Sequence, residues 1–262
     1  MLLMIKRLFR ILSYKTQCYR IGLSYWYWNK SVFNSSGEVE SLFKGKKVVF
    51  IGPGENVNEC LIKKVNTFDV ICLVNKGYRS KSIEEVIVPE KKIVLFHCLY
   101  ENEDRGGGRL DMQNLLKHGI FDVIYPLNEK KLHHHVMAAK KKIKPPLKCH
   151  FVQKDWYQKL VNDLNGFRPN TGFAAIKCAY DSGCSALYVH GITFHRTAYN
   201  HDYNVKQLSS SDSVKIIESG KNHNPDMDYL LFRKISKNPV IECSPGVMEI
   251  LELPYKPIFY QN

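Results

Sequence analysis

No two cysteines of this chain stand as CxxC. The eight, at positions 18, 60, 72, 98, 149, 178, 184 and 243, match no zinc-ligand spacing. Several sit inside apolar runs, as Cys72 and Cys243 do, so buried reduced thiols are expected, and with them a cytoplasmic protein. No run of about 18 apolar residues occurs, so no membrane-spanning helix is expected. GxGxxG is missing too, which removes the dinucleotide fingerprint. Repeats and low-complexity stretches are absent, and residues 1–30 contain no acid. What is present is ample apolar and basic material. The 262 residues are 44% hydrophobic and 12% aromatic, enough for one large α/β domain and too much for a disordered chain. The formal net charge of +13 favours anionic partners: a nucleotide-sugar, an anionic membrane surface or nucleic acid.

Lys6, Arg7, Arg10, Lys15, Arg20 and Lys30 are interleaved with Leu2, Leu3, Ile5, Leu8, Phe9 and Leu12. On a helix, Ile5, Leu8 and Leu12 share one face and Lys6 and Arg10 another. The cations break up what a signal peptide needs as an apolar run. Residues 1–45 therefore read as a basic amphipathic arm, either lying on an anionic membrane or packed on the domain.

From residue 46 onward, strands alternate with helices. Lys46 to Ile51, Asp69 to Asn75, Lys92 to His97 and Phe121 to Tyr125 are short β-branched apolar runs of the kind that fill a parallel sheet. Gly52-Pro53-Gly54 turns the first of them into a helix reaching about Val65. Asn75 stands at the carboxyl end of the second. This strand, glycine turn, helix and strand have the shape of a nucleotide-binding half. Residues 129–148 are strongly basic. His133, His134 and His135 are consecutive and point apart on a helix, so a solvated basic face is expected there, not a zinc site. That face lacks interleaved aromatics and any nucleic-acid fold motif. A helix over Trp156 to Leu164 follows.

The chain is organised around Arg168-Pro169-Asn170-Thr171-Gly172-Phe173-Ala174-Ala175-Ile176 and Tyr188 to Phe194. Pro169 restricts Arg168, and Asn170 or Thr171 caps a helix whose Ala174, Ala175 and Ala179 allow close packing. One arginine, one hydroxyl, one glycine and a helix N-terminus suggest a phosphate or carboxylate site. The residue types fit an ordinary capped helix as well. Residues 195–222 are polar and long for a plain connection, which suggests a lid. Pro225 suits a first helical turn after His223 and Asn224. Pro239 to Cys243 reads as a late strand, and Ser244-Pro245 opens a last helix.

Four of these pieces resemble the sialyltransferase superfamily, glycosyltransferase family 29, and in order and spacing also the bacterial family 42 enzymes. Val48 to Gly54 with Phe68 to Asn75 looks like the large sialyl motif. Arg168 to Ile176 with Tyr188 to Phe194 looks like the small one. The lid with Tyr199, His201 and Tyr203 resembles the third motif, and His223-x4-Asp228 the very small motif. The resemblance covers roughly residues 46–253. It implies a single-domain, GT-A-like (Rossmann-type) fold with a mostly parallel sheet. It further implies an inverting transfer of sialic acid, or a related sugar such as Kdo, from a CMP-activated donor to a glycan or glycolipid acceptor. No metal and no other cofactor is implied. Carried over by position, His223 is the general base. Asn75, Asn170, Thr171 and Gly172 hold the cytidine monophosphate, and Gly52, Gly54 and Gly191 let backbone approach it. Tyr199 and Tyr203, with His195 or His201, meet the leaving phosphate, and Arg168 faces the phosphate or the sugar carboxylate.

The chain departs from the family in places. Pro53 stands where the bacterial enzymes have Asn, leaving Asn56 as a substitute if the turn permits. Another donor-contacting Asn falls near Cys98, and Asp228 replaces Glu. These departures favour an alternative, a non-catalytic glycan- or membrane-binding protein of the same fold. Asp226-Met227-Asp228 is formally a DxD, which supplies a second alternative, a metal-dependent UDP-sugar transferase. Nucleic acid is not an expected partner. The arm and the reduced cysteines fit an enzyme on the inner face of a membrane, building a surface glycan.

Overall fold

The apolar runs become the strands of one sheet. The structure, a computed structural model, describes residues 36–88, 90–103, 107–129, 133–200, 203, 209, 211–212, 215 and 223–259. In chain order, α1 (Ser36–Phe43) leads to β1 (Lys47–Ile51), α2 (Glu59–Thr67) and β2 (Val70–Val74). A 3-10 turn (Asn75–Arg79) and α3 (Lys81–Glu84) precede β3 (Lys92–Phe96), α4 (Met112–Lys117) and β4 (Ile120–Tyr125). Next come α5 (His133–Lys142), β5 (Lys148–Phe151), α6 (Lys154–Asp163), α7 (Thr171–Asp181) and β6 (Ala186–His190). The chain continues through α8 (Pro225–Ile235), β7 (Ile241–Cys243) and α9 (Pro245–Glu252).

The seven strands pair in the order β5-β4-β3-β2-β1-β6-β7, every pair parallel. This is a Rossmann-like α/β sheet flanked by helices, and parallel throughout where the sequence implied mostly parallel. The central strands are buried because they carry almost no polar side chain: β2 (VICLV) is buried along its whole length. Each Leu, Ile or Phe so buried contributes about 1.5–3 kcal/mol. Several helix starts are fixed by side-chain caps. The Asn58 carboxamide oxygen accepts from Leu61 N, that of Asn170 from Phe173 N, and Asn224 caps α8.

Two parts of the sequence reading need adjustment. β5 (KCHF) was not expected, because lysine and histidine interrupt its apolar pattern. Its His150 is nevertheless buried, with Nε2 at 2.6 Å from Asp122 Oδ1, and Lys92 Nζ lies 2.9 Å from Asp122 Oδ2. The stretch 36–45, placed in the arm, belongs to the folded domain: Val39 and Phe43 are core residues, and Phe43 stacks on Phe96 at 5.8 Å. Residues 1–35 lie outside the described residues. Among the described residues, no helix is long and apolar enough to cross a membrane. The cysteines described are all free thiols.

Strand order reverses direction at β1. The chain steps outward from β1 to β5, then returns to lay β6 on the other side of β1. Such a switch point opens a crevice beyond the carboxyl ends of the strands, where ligands bind in open α/β sheets. Gly52 follows β1 there, and Gly191 follows β6. A Cβ on Gly52 would lie 2.5 Å from the Gly191 carbonyl oxygen, and one on Gly191 would lie 2.5 Å from that of Gly52. Gly191 also has φ +66°. The sequence reading gave these glycines to a ligand. In the structure their missing side chains first let the two loops meet each other. Gly54 is similar, its Cβ position lying 2.6 Å from Thr193. Gly191→Ala is expected to destabilise the fold by about 3 kcal/mol, combining left-handed strain with a backbone clash. Gly183→Ala, with φ +77° and nothing within 4 Å, carries only the strain and is expected to cost about 1 kcal/mol. Urea denaturation of the two variants measures the difference; equal losses would remove the loop-to-loop contact as the reason for glycine.

Candidate active site

The crevice is assembled from strand ends. Asn75, the first residue after β2, takes φ +52° and turns its carboxamide oxygen to accept from Cys98 N at 3.1 Å. Its side chain also bonds the Tyr203 phenol. Beyond β3, His97 is fully buried. Its Nε2 donates to Gly107 O at 3.0 Å and its Nδ1 accepts from Leu99 N at 2.9 Å. A Cβ on Gly107 would fall 2.5 Å from the His97 ring, so this glycine is required for the approach. The sequence signalled none of His97's role, since it reads as one more residue at the end of an apolar run.

After β6 the chain makes an unusual turn, with Phe194 at φ +53° and His195 at φ +62°. Consecutive non-glycine residues in this region cost of order 1–3 kcal/mol each and collect at functional sites. Packing holds the turn. Phe194 is buried against Phe173, Tyr229 and Phe232, with ring centroids at 6.3, 6.0 and 4.9 Å. His195 is thereby turned so that its Nδ1 shares a 2.9 Å hydrogen bond with the Tyr199 hydroxyl. Tyr199 meets Tyr203 edge-on at 5.3 Å. Burial raises both phenols above their ordinary pKa, so they stay neutral hydrogen-bonding groups. Asn200 pins this segment to the glycine turn, donating from N to Pro53 O and from Nδ2 to Glu55 O. His201 and most of the lid stretch 195–222 lie outside the described residues.

The loop before α7 brings in the remaining groups. Asn170 does not offer its side chain to the crevice. Its oxygen caps α7, while its N and Nδ2 donate to Asp228 Oδ2 at 2.9 and 2.6 Å. That correction follows from the helix's own need for a cap. Asn170→Ala removes the cap and one of the two donors to the buried Asp228 carboxyl, the backbone N–H remaining, with an expected cost of about 2 kcal/mol, measurable in urea. Thr171 and Gly172 then present the first two N–H groups of α7, which have no partner among the described residues, at the positive end of an 11-residue helix. The Thr171 hydroxyl reaches the buried Cys98 thiol. Burial raises that thiol's pKa against the opposing pull of Thr171 and Arg168.

Arg168 donates from Nη1 to Glu129 Oε2 at 3.1 Å, and its carbonyl accepts from His223 Nδ1 at 2.9 Å. A carbonyl only accepts, so the His223 proton is on Nδ1 and the lone pair is on Nε2. Burial, with the Arg168 charge beside it, pushes the His223 pKa down to about 3. The imidazole is neutral at ordinary pH, in the tautomer a base requires.

No protein-family model matches the chain, and no curated protein matches it.

Around this centre, Asn56 has an exposed side chain, and among the described residues only its carbonyl is engaged, accepting from His190 Nε2 at 3.1 Å. The Asp226-x-Asp228 pair is split between separate partners. Asp226 accepts from Arg196 Nη2 and from the Ile258 and Phe259 N–H groups, whereas Asp228 accepts from Asn170. Burial holds the Asp228 carboxyl well above the usual carboxylate range, which favours a neutral acid there. Glu55, which the sequence did not mark, ties three loops together. It accepts from Gly191 N and Ser244 Oγ and faces His190 Nδ1 at 3.1 Å.

Proposed function

We propose that the chain is an inverting glycosyltransferase that moves sialic acid, or a related sugar, from a CMP-activated donor to a hydroxyl of a glycan or glycolipid. One observation carries this reading. The His223 lone pair, the Arg168 guanidinium, the first N–H groups of α7, unpartnered among the described residues, and the Tyr203–Asn75 pair come from four separate segments to the carboxyl edge of one sheet. These residues are thus neighbours in space, although Asn75 and His223 lie 148 positions apart in sequence.

In this mechanism the α7 N-terminus and Asn75 bind the nucleotide phosphate. The acceptor oxygen attacks the anomeric carbon as the bond from that carbon to the phosphate oxygen breaks. The acceptor proton passes to His223 Nε2, and the bonding electrons leave with CMP, whose phosphate is met by the Tyr199 and Tyr203 hydroxyls. A pKa near 3 makes His223 a weak base in the free protein. The donor's negative charges offset the neighbouring Arg168 and raise that value when the base is needed. The metal-dependent alternative requires Asp226 and Asp228 to leave Arg196 and Asn170 and turn to a common point. Location on the inner face of a membrane, by way of the basic arm, is part of the same proposal; deleting residues 1–30 is expected to abolish co-sedimentation with anionic vesicles.

Calorimetric titration with CMP, with UDP as comparator and each with and without EDTA, tests the reading. CMP binding that survives EDTA is expected. UDP binding that depends on a divalent metal would overturn it in favour of the aspartates.

A further inference from the structure

Four polar side-chain atoms are buried without a hydrogen-bond partner among the described residues where β4, α6, α7 and α8 converge. They are the Tyr125 and Tyr157 hydroxyls, Arg168 Nε and Asp228 Oδ1. Tyr125 is the last residue of β4, Tyr157 lies on α6, Arg168 precedes α7 and Asp228 is on α8. Tyr125 is 0% exposed, Tyr157 5% and Asp228 1%. The four belong to one place. The Arg168 guanidinium is joined to Glu129, and Asp228 to Asn170, two residues beyond Arg168. The Tyr125 phenol lies in the electrostatic field of Tyr157, Cys98, Glu129 and Arg168, and the Tyr157 phenol in that of Glu129, Arg168 and Asp228.

Buried polar atoms are nearly always satisfied, and each exception calls for a reason. Phenylalanine at 125 and 157 would have the same shape without the desolvation cost of a hydroxyl. The chemistry of the group narrows what it meets. Two phenols each donate and accept, Arg168 Nε only donates, and Asp228 Oδ1 accepts or, as an acid, donates. The Arg168 charge that faces these atoms is shared with Glu129, and the two phenols are neutral, so the group favours a neutral ligand over a phosphate or carboxylate. A neutral segment bearing several hydroxyl groups matches it, because each hydroxyl also donates and accepts.

We propose that Tyr125, Tyr157, Arg168 Nε and Asp228 Oδ1 form a subsite that reads the hydroxyl groups of a neutral polyol segment of the substrate. The inference rests on the reading that the adjoining crevice holds a CMP-activated sugar. The His223 bond to the Arg168 carbonyl places the subsite next to the general base. The Arg168 and Glu129 side chains, 17% and 26% exposed, are the more accessible part of this group, which marks the side from which a ligand would approach. The hydroxyls have two available sources, the exocyclic hydroxylated chain of the donor sugar and the ring of the acceptor glycan.

The test compares the full chain with Tyr125→Phe, Tyr157→Phe and the double variant. Calorimetry measures binding of CMP, of CMP-sialic acid, and of lactose in the presence of CMP. The double variant is expected to bind CMP within twofold of the unmodified chain and to be at least as resistant to urea. It is expected to lose at least tenfold in affinity for one of the other two ligands. Loss for CMP-sialic acid assigns the subsite to the donor chain, and loss for lactose to the acceptor ring. Undiminished binding of both, with increased stability, would overturn the proposal in favour of a chamber holding water alone. A similar loss for all three ligands would overturn it as general damage. Failure of the nucleotide reading is separable. Ring resonances of 13C-labelled Tyr125 and Tyr157 that shift with erythritol, in a chain that binds no CMP, keep the polyol subsite and remove the nucleotide. Absence of any shift, in a chain that binds CMP, removes the subsite alone.

Discussion

His223→Ala is expected to lower sugar transfer at least a hundredfold while leaving CMP affinity within about twofold. General-base catalysis contributes about 10²–10⁴ in rate, and a hundredfold corresponds to about 2.7 kcal/mol of transition-state stabilisation. The split between rate and binding follows from the geometry. His223 is held by a backbone carbonyl through Nδ1, which leaves Nε2 as the atom that acts in the proposed transfer, and the proposal assigns the nucleotide to other elements, the α7 N-terminus and Asn75. His223→Asn keeps a donor for the Arg168 carbonyl but supplies no base. It is expected to preserve the loop and lose the rate, which distinguishes a chemical role from a positioning one. Transfer at the unmodified rate in both variants would remove His223 as the base. Equal loss of CMP binding and rate would make it a structural residue.

The fold was legible where one physical effect dominates a stretch of sequence. β1 to β4 and β6 are apolar runs because both faces of a parallel sheet are covered, and α7 and α8 begin where Asn170 and Asn224 cap them. β5 was not legible, because its burial is achieved by pairing His150 and Lys92 with Asp122, a contact between strands that no local pattern reports. The same distinction governs the site. The positions of Thr171, Gly172 and Asn75 at a helix start and a strand end were readable, since each leaves a local mark. Asn170 was assigned to a ligand although its side chain serves the cap and Asp228, and a preference for Asn at that position fits both uses. His97, the pair Tyr125 and Glu129, and Tyr157 stand on three different stretches. Only the order of strands in the sheet brings them to one edge, and sequence spacing does not encode that order.

Acid is expected to unfold this protein earlier than its carboxylates alone require. Burial pushes His97 and His195 down to about 4, and His223 to about 3. Unfolded histidine titrates near 6.5. Between these values the unfolded chain binds protons that the folded chain refuses, so stability rises with pH through the window and is lost as pH falls below 6.5. Each withheld proton is worth about 1.4 kcal/mol per pH unit. His97, fully buried, carries about 2 kcal/mol between pH 6.5 and 4.5. His195 and His223 are partly exposed and carry less; the three together lose about 5 kcal/mol, comparable with the whole stability of many domains. His118 and His190, also lowered, act in the same direction. Asp228 opposes them, since its raised pKa lets the folded state take up a proton first, which acid rewards. Asp122, depressed to about 2, adds its loss only below the window, as pH falls under its unfolded value of 3.8. Urea denaturation at pH 7.5, 6 and 5 measures the slope. His97→Gln is expected to be less stable at pH 7.5, where two hydrogen bonds are lost, yet to show a shallower decline toward pH 5. Stability that stays level from pH 7.5 to 5 would mean that these imidazoles accept protons in the folded state. The neutral His223 that the proposed transfer requires would then lose its support as well.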